Sequence, residues 1–480
     1  MAFLDFMAPP AHKPLLPQEK IDKEYKWMRL KVFIGIYLGY AAYYLVRKNL
    51  SFAGADMIKL GYLDTSGVGD AMAGLPIAYA VSKFLMGGLS DRSDARKFLT
   101  FGLIISALIM IVAGFIPYPK DSVITTAILF GLTCLTGWFS GMGWPPCGRV
   151  MSHWFSTNER SFKMSIWNTA HNIGSSGLAW LATIGGGSLI VALGYGAEDA
   201  WREAFIIPSI AALAVAVICW LFIRDTPESC GLPAIDKYRN DFSGAKAKKG
   251  EEDKIPFKTL FVDYVLKNKM LWFIGFANIL VYLVRNGISD WLPIYLQEVH
   301  GIAKAVSKDL YAYHMLAAIP GTLIAGWLSS RFFQGRCAPV NVICMAVTAI
   351  GAFVYWQAGA IASTLGVEYI SVVIAALIIT GFAVYGPVAM ISIQAIAVVP
   401  KNAAGTAAGF MGLLGYLIGD AFLSKIAFGR IVESGANGWD LTFVGFFAAS
   451  VIATIICFMA MGKEKKMFEE RIAAAKAEQK

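Results

Sequence analysis

Tyr44-Leu-Val-Arg47 recurs as Tyr282-Leu-Val-Arg285, and shifting by the same 238 positions carries Tyr40 onto Asn278. The trio Tyr40, Tyr44 and Arg47 therefore corresponds to Asn278, Tyr282 and Arg285. Spacings of four and then three put each trio on one face of a helix. Two further matches follow in the same order. Gly87-Gly-Leu-Ser-Asp-Arg92 reappears as Gly326-Trp-Leu-Ser-Ser-Arg331, and Gly143-Trp-Pro145 answers to Tyr385-Gly-Pro387. A single four-residue repeat would carry little weight. Three at nearly one offset read as an internal duplication.

The repeats sit in a chain that is 57% hydrophobic and only 16% charged, with a mean hydropathy of +0.57. Soluble domains carry about a quarter charged residues. This composition excludes a disordered chain, a nucleic-acid-binding domain and most soluble enzymes. Apolar runs of ~20 residues are long enough to cross the hydrocarbon of a bilayer. Twelve occur, near 32–53, 70–89, 98–117, 122–145, 162–185, 203–223, 270–292, 309–332, 339–358, 370–395, 403–428 and 441–462. Residues 1–31 are charged and proline-bearing, unlike a secretory signal peptide. Cys134, Cys147, Cys219, Cys230, Cys337, Cys344 and Cys457 form no CxxC pair. No disulfide framework or metal site is expected.

The long polar stretch 224–269, with Ser243-Gly-Ala-Lys-Ala-Lys-Lys-Gly-Glu-Glu-Asp253 at its middle, has the composition of a linker. It divides the chain into an N-terminal segment 1–31, a six-helix bundle 32–223, the linker 224–269, a second bundle 270–462 and a tail 463–480. Of the 42 Lys and Arg, only Lys59, Lys120, Arg202, Lys304, Lys308 and Arg430 fall in odd-numbered loops. Arg47, Lys48, Lys83, Arg285 and Lys425 fall inside spans. The rest crowd the even-numbered loops, the linker and the termini, which predicts that both termini are cytoplasmic. Net charge +9 needs no acidic macromolecule to explain it.

The expected fold is an all-α membrane protein, twelve transmembrane helices in two pseudo-symmetric six-helix bundles. Two halves related by an axis along the membrane normal describe the major facilitator architecture. Gly87, Asp91, Arg92 and Arg96 resemble the loop motif of that superfamily, with one extra residue before the last arginine. Ser330 stands where the second copy would have an acid.

A charge in mid-span costs ~2.5–3.5 kcal/mol on insertion scales and marks function or pairing. Arg47 and Arg285 occupy matching depths, and two cations cannot neutralise each other. A guanidinium offers a planar fork that fits phosphate oxygens, so a dianion between them explains the pair better than separate structural roles. Lys48 and Asp290, one from each half, fit either an ion pair or direct substrate contact. Lys83, four residues after Tyr79, either adds to a positive cavity or pairs locally. Asp420 and Lys425, five apart and so about 140° round an α-helix, form a poor intrahelical pair, and Asp420 has no evident partner. Span five presents Asn168, His171, Asn172 and Ser175 on a broad polar face. The imidazole titrates near neutrality, where phosphate changes its charge. Trp144, Trp167, Tyr385 and Tyr416 either shape a cavity or fill the core.

Gly39-Tyr-Ala-Ala-Tyr-Tyr-Leu-Val-Arg-Lys-Asn49, Gly141-Met-Gly-Trp-Pro-Pro-Cys-Gly-Arg149 and Trp167-Asn-Thr-Ala-His-Asn172 resemble the organophosphate:phosphate antiporters. Lys401-Asn-Ala-Ala-Gly-Thr-Ala-Ala-Gly-Phe410 is similar to the glycerol-3-phosphate branch. The resemblance covers nearly the whole chain and implies exchange of an organic phosphate for inorganic phosphate by rocking of the halves. It implies phosphate binding by Arg47 and Arg285 with His171 and Asn168 alongside, and Lys83, Tyr40, Tyr44, Tyr79, Tyr282, Tyr385, Tyr416, Trp144 and Trp167 lining the path. It also implies a Lys48–Asp290 bridge between the halves. The chain departs from the family at Met315, where a glutamate is usual, at Ser161, at Ser175-Ser176, and at Asp420, where the hexose-phosphate branch has an aspartate.

Two guanidinium groups would resist closure of an empty cavity, and a bound dianion would relieve that resistance. No ATP-binding loop or other catalytic constellation appears, and no enzyme, cofactor or catalytic residue is expected. Substrate, inorganic phosphate and lipid are the expected partners, with a monomer in a bacterial inner membrane as the working unit. Competing readings are a hexose-6-phosphate:phosphate antiporter, a non-transporting sugar-phosphate sensor, and a symporter using His171 and Asp290 as proton carriers.

Overall fold

The computed structural model describes residues 6–90, 92–240, 260–399 and 403–478. Asp91 of the loop motif, the linker core 243–253, and Lys401 and Asn402 lie outside the described residues. The described residues are helical, with no β-strand among them. Two compact units emerge: 1–63 with 74–253, and 254–480 with 64–73.

The first unit contains α1 (Gln18–Tyr44), α2 (Asn49–Lys59), α3 (Thr65–Ser90, whose first turns count with the second unit), α4 (Ala95–Phe115) and α5 (Ser122–Ser140). It continues with α6 (Trp144–Trp154), α7 (Thr157–Asn168), α8 (Ala170–Leu181) and α9 (Glu203–Phe222). Helix starts follow side-chain caps. Asp94 accepts from the Arg96 N–H at 2.9 Å to open α4, and Asp121 accepts from Ile124 N–H at 3.0 Å to open α5. Ser156 and Glu159 form a capping box at α7.

Two expected spans are interrupted. Span one breaks over Leu45–Lys48, where Asn49 Nδ2 donates to the Leu45 carbonyl at 3.0 Å and to Ala204 at 2.8 Å. Span five breaks at Thr169, whose hydroxyl donates to Ile166 O at 2.7 Å and bonds Tyr37. α1 also starts well before residue 32, so much of the charged N-terminal segment is helical. Eight described helices are long and apolar enough to cross a membrane. Span five falls short in length, as two helices of 12 residues each, whereas α1, at 27 residues, is long enough but insufficiently apolar. α3 and α11 (Lys304–Phe332) have the length but less apolar character. Each of the twelve expected spans falls mainly on helix, spans one and five with the breaks just described.

The second unit contains α10 (Lys269–Glu298), α11, α12 (Ala338–Trp356), α13 (Tyr369–Ala397) and α14 (Ala404–Leu413). A π-helix (Leu414–Ala427), α15 (Phe428–Glu433) and α16 (Gly438–Glu478) complete it. Unlike α1, α10 runs unbroken through its arginine. Helices α11 and α13 approach closely because glycines face backbone: a Cβ at Gly321 would strike the Phe382 carbonyl, and one at Gly381 the His314 carbonyl. Large apolar side chains remain exposed on the outside, Val123 at 80% and Ile184 at 69% among them. In water that would be costly, but in lipid it costs nothing.

At one end of the first unit Arg149 makes a two-pronged ion pair with buried Asp225, both bonds 2.9 Å, and Asp225 also accepts from Ala95 N–H. Glu159 is held by Arg29, with Arg239 at 3.8 Å, and Tyr25 stacks on Tyr238 at 3.9 Å. Partial burial would raise the Glu159 carboxyl, but Arg29, the Ser156 N–H and Arg239 together hold it below its ordinary value.

Candidate functional site

In the first unit the break after α1 delivers Arg47. Tyr40 and Tyr44 stay on the helix, but Arg47 lies in the turn beyond its end, so the expected single helical face is only partly kept. Its guanidinium lies 4.5 Å from the ring centres of both Tyr44 and Tyr79 and 5.9 Å from Tyr43. Its Nη2 donates to the Ser140 carbonyl at 3.1 Å. Aromatic faces attract a cation without neutralising it. The arginine is thereby held in place by two ring faces and one backbone carbonyl.

Around this arginine the expected side chains converge. Lys83 Nζ lies 5.6 Å from the Trp144 ring and 5.9 Å from that of Tyr79. Tyr40 stacks on Trp167 at 4.5 Å and meets Tyr44 edge-on at 5.5 Å, with the two hydroxyls 3.5 Å apart. Trp167 is fixed by its indole N–H, which donates to Ile36 O at 3.1 Å, and Trp144 meets it edge-on. His171 lies 5.6 Å from the Tyr44 ring, and its Nδ1 bonds the backbone carbonyl of Asn168. Asn168 thus contributes a carbonyl that orients the imidazole. Asn172 and Ser175 are buried against neighbouring helices, so the polar face of span five is narrower than expected.

The second unit builds a related but unequal arrangement. Arg285, in mid-α10, lies 5.6 Å from the Tyr282 ring and 4.7 Å from that of Tyr385. Tyr44 and Tyr282 correspond under the duplication. The second ring does not: Tyr79 comes from α3, whereas Tyr385 comes from α13. Tyr282 meets Tyr416 edge-on at 5.0 Å, and Asn278 Nδ2 donates to Met411 O at 2.7 Å. Gly415 permits this approach, since a Cβ there would lie 2.9 Å from both Asn278 Nδ2 and Tyr282 Cδ2.

The expectation for Asp420 and Lys425 is overturned. Lys425 is buried, pairs with Asp420, and lies 2.8 Å from Asp290 Oδ2. The cause is the π-helix: its i→i+5 hydrogen bonding brings residues five apart into line, where an α-helix would separate them. Asp290 accordingly has a partner within its own unit that residue spacing did not reveal. Lys48 precedes α2 in the other unit. Of the loop motif, a Cβ at Gly87 would meet no neighbour within 4 Å, and Arg96 lies 3.8 Å from Asp94 and 4.7 Å from the Trp220 ring. Tyr43 and the Ser140 carbonyl are contributors the sequence reading passed over. Tyr43 is adjacent to the repeated motif, and that proximity was the available signal.

A helical membrane chain with duplicated halves, each presenting an arginine between tyrosine rings, has the organisation of a secondary transporter. The Major Facilitator Superfamily profile matches residues 36–424, and the chain belongs to that superfamily. It is 43% identical to the glycerol-3-phosphate transporter of Bacillus subtilis, covering 95% of this chain and 97% of that protein. A glycerol-3-phosphate transporter of Haemophilus influenzae is 41% identical over 95% of this chain and 96% of its own length. More distant relatives bear the names "Probable hexose phosphate transport protein" and "Membrane sensor protein UhpC". Among solved structures, an inward-facing, unoccupied bacterial homologue of the human lysosomal transporter Spinster superposes with a TM-score of 0.69, at 17% identity over 92% of this chain and 98% of that one. That likeness speaks for the fold alone.

Proposed function

We propose that the protein exchanges an organic phosphate ester, glycerol-3-phosphate in the first place, for inorganic phosphate by alternating access in a bacterial inner membrane. The observation that carries this reading is the pair of equivalent arginines, each held by aromatic faces. Relatives named for glycerol-3-phosphate at 41–43% identity support the organic group. Arg47 and Arg285 each offer a guanidinium fork to one phosphate, and His171, Lys83 and the tyrosine and tryptophan side chains shape the path. No resident cofactor takes part. The working unit is a monomer with both termini cytoplasmic.

The mechanism follows from charge. Bringing two guanidinium groups together in a closing, water-poor cavity strengthens their repulsion and strips their hydration. A dianion supplies acceptors to both and offsets the charge, so occlusion requires cargo. Inorganic phosphate and a phosphate ester share the group that does this, and exchange follows without a further coupling device. Lys48 and Asp290 form a bridge between the halves in one conformation, in competition with Lys425 for the same carboxylate. Hexose-6-phosphate exchange is the second reading, favoured by Asp420; a sensor that binds without transporting is the third. Proteoliposomes separate them. Labelled phosphate enters only when phosphate or ester is trapped inside if the exchanger reading holds. Entry into vesicles without internal substrate, or no entry at all, defeats it.

A further inference from the structure

We propose that Met315 is a positioning residue for anion binding, acting through Tyr385 on Arg285. This rests on the reading of Arg285 as a phosphate ligand. Tyr385 is buried on α13, and its ring lies 4.7 Å from the Arg285 guanidinium. Its hydroxyl donates to the thioether Sδ of buried Met315 on α11 at 3.2 Å. The same pair of helices is registered by His314, whose Nδ1 lies 3.0 Å from the Leu377 carbonyl and 3.4 Å from the Thr380 hydroxyl. The His314 ring meets Tyr385 edge-on at 6.3 Å.

The arrangement fixes which way the phenol points. With its hydroxyl drawn toward α11, Tyr385 presents its ring face to the guanidinium. A thioether is a weak acceptor and carries no charge. Met315 thus orients the ring without placing an anion that would compete with phosphate for Arg285. In the first unit the corresponding ring against Arg47 is Tyr79, which comes from α3.

The test uses purified full-length protein and inorganic phosphate as probe, measured by calorimetric titration. Met315→Leu keeps the volume and removes the acceptor, and Tyr385→Phe removes the donor. Each should weaken phosphate binding roughly 3- to 10-fold, the range of one hydrogen bond. The double variant should be no weaker than the worse single, within about 2-fold, because both remove one interaction. Met315→Gln, of similar length with an oxygen acceptor, should recover most of the affinity. The maximal exchange rate of Met315→Leu should stay within about 2-fold of wild type. Wild-type affinity in Met315→Leu, or single effects that multiply in the double variant, overturns the inference. Arg285→Lys separates the two levels. If it loses binding while Met315→Leu does not, only the positioning role fails. If Arg285→Lys binds like wild type, the anion-site reading fails with it.

Discussion

Replacing Lys425 by Met should destabilise the second unit more than almost any other single change. The ammonium lies 2.8 Å from Asp290 Oδ2 and is also paired with Asp420, and all three side chains are under a tenth exposed. Methionine matches the lysine stem in length but leaves two buried carboxylates without this cation. Removing one partner of a buried ion pair costs about 3–5 kcal/mol. At ~2–3 °C per kcal/mol for a unit of this size, the melting midpoint should fall by roughly 6–15 °C. Tryptophan fluorescence of the detergent-purified protein during heating would read this. The paired control is Lys425→Met with Asp290→Asn and Asp420→Asn, which removes the stranded charge and should recover most of the loss. An unchanged midpoint in Lys425→Met would refute the reasoning, as would a triple variant that melts as low as the single.

Other outcomes are equally specific. Glycerol-3-phosphate should compete with labelled phosphate better than glucose-6-phosphate does; if the order is reversed, Asp420→Gly should shift preference toward the smaller ester. The Glu159 carboxyl titrates below its ordinary value, so its stabilisation is present above the unfolded value and is lost as pH falls through the folded one. Glu159→Gln should therefore lower stability slightly at pH 7, by less than ~1 kcal/mol because the pair is partly exposed, and the difference should vanish once the pH has fallen below the lowered folded value. A gap that persists in acid would contradict that assignment. Single cysteines in the 243–253 linker should escape an impermeant reagent in intact cells while one near Glu198 reacts, and the opposite pattern would invert the topology.

Much of the first unit's site was legible because its residues fall in long motifs. Tyr40, Tyr44, Arg47, Trp144, Trp167 and His171 lie in three such stretches, and the structure brings them together. What stayed hidden were departures from ideal helix geometry. The breaks at Leu45–Lys48 and Thr169 leave no proline in the sequence, since a polar side chain takes over the backbone bonds there. The Lys425–Asp420 pair is invisible to anyone assuming 100° per residue, and only π pitch aligns it. Tyr385 and Met315 meet across two helices 70 residues apart, a contact that repeat arithmetic within one half cannot supply.

The central claim is that Arg47 and Arg285 hold one phosphate through their guanidinium forks, and phosphate binding by Arg47→Lys and Arg285→Lys tests it most directly. Lysine keeps the charge but gives up the second aligned donor and lies differently against the tyrosine rings. A charge-assisted hydrogen bond contributes ~1.5–3 kcal/mol, so each variant should bind phosphate about 10- to 150-fold more weakly than wild type while melting at the same temperature. Near wild-type affinity in both variants would show that the arginines serve the fold and not the cargo.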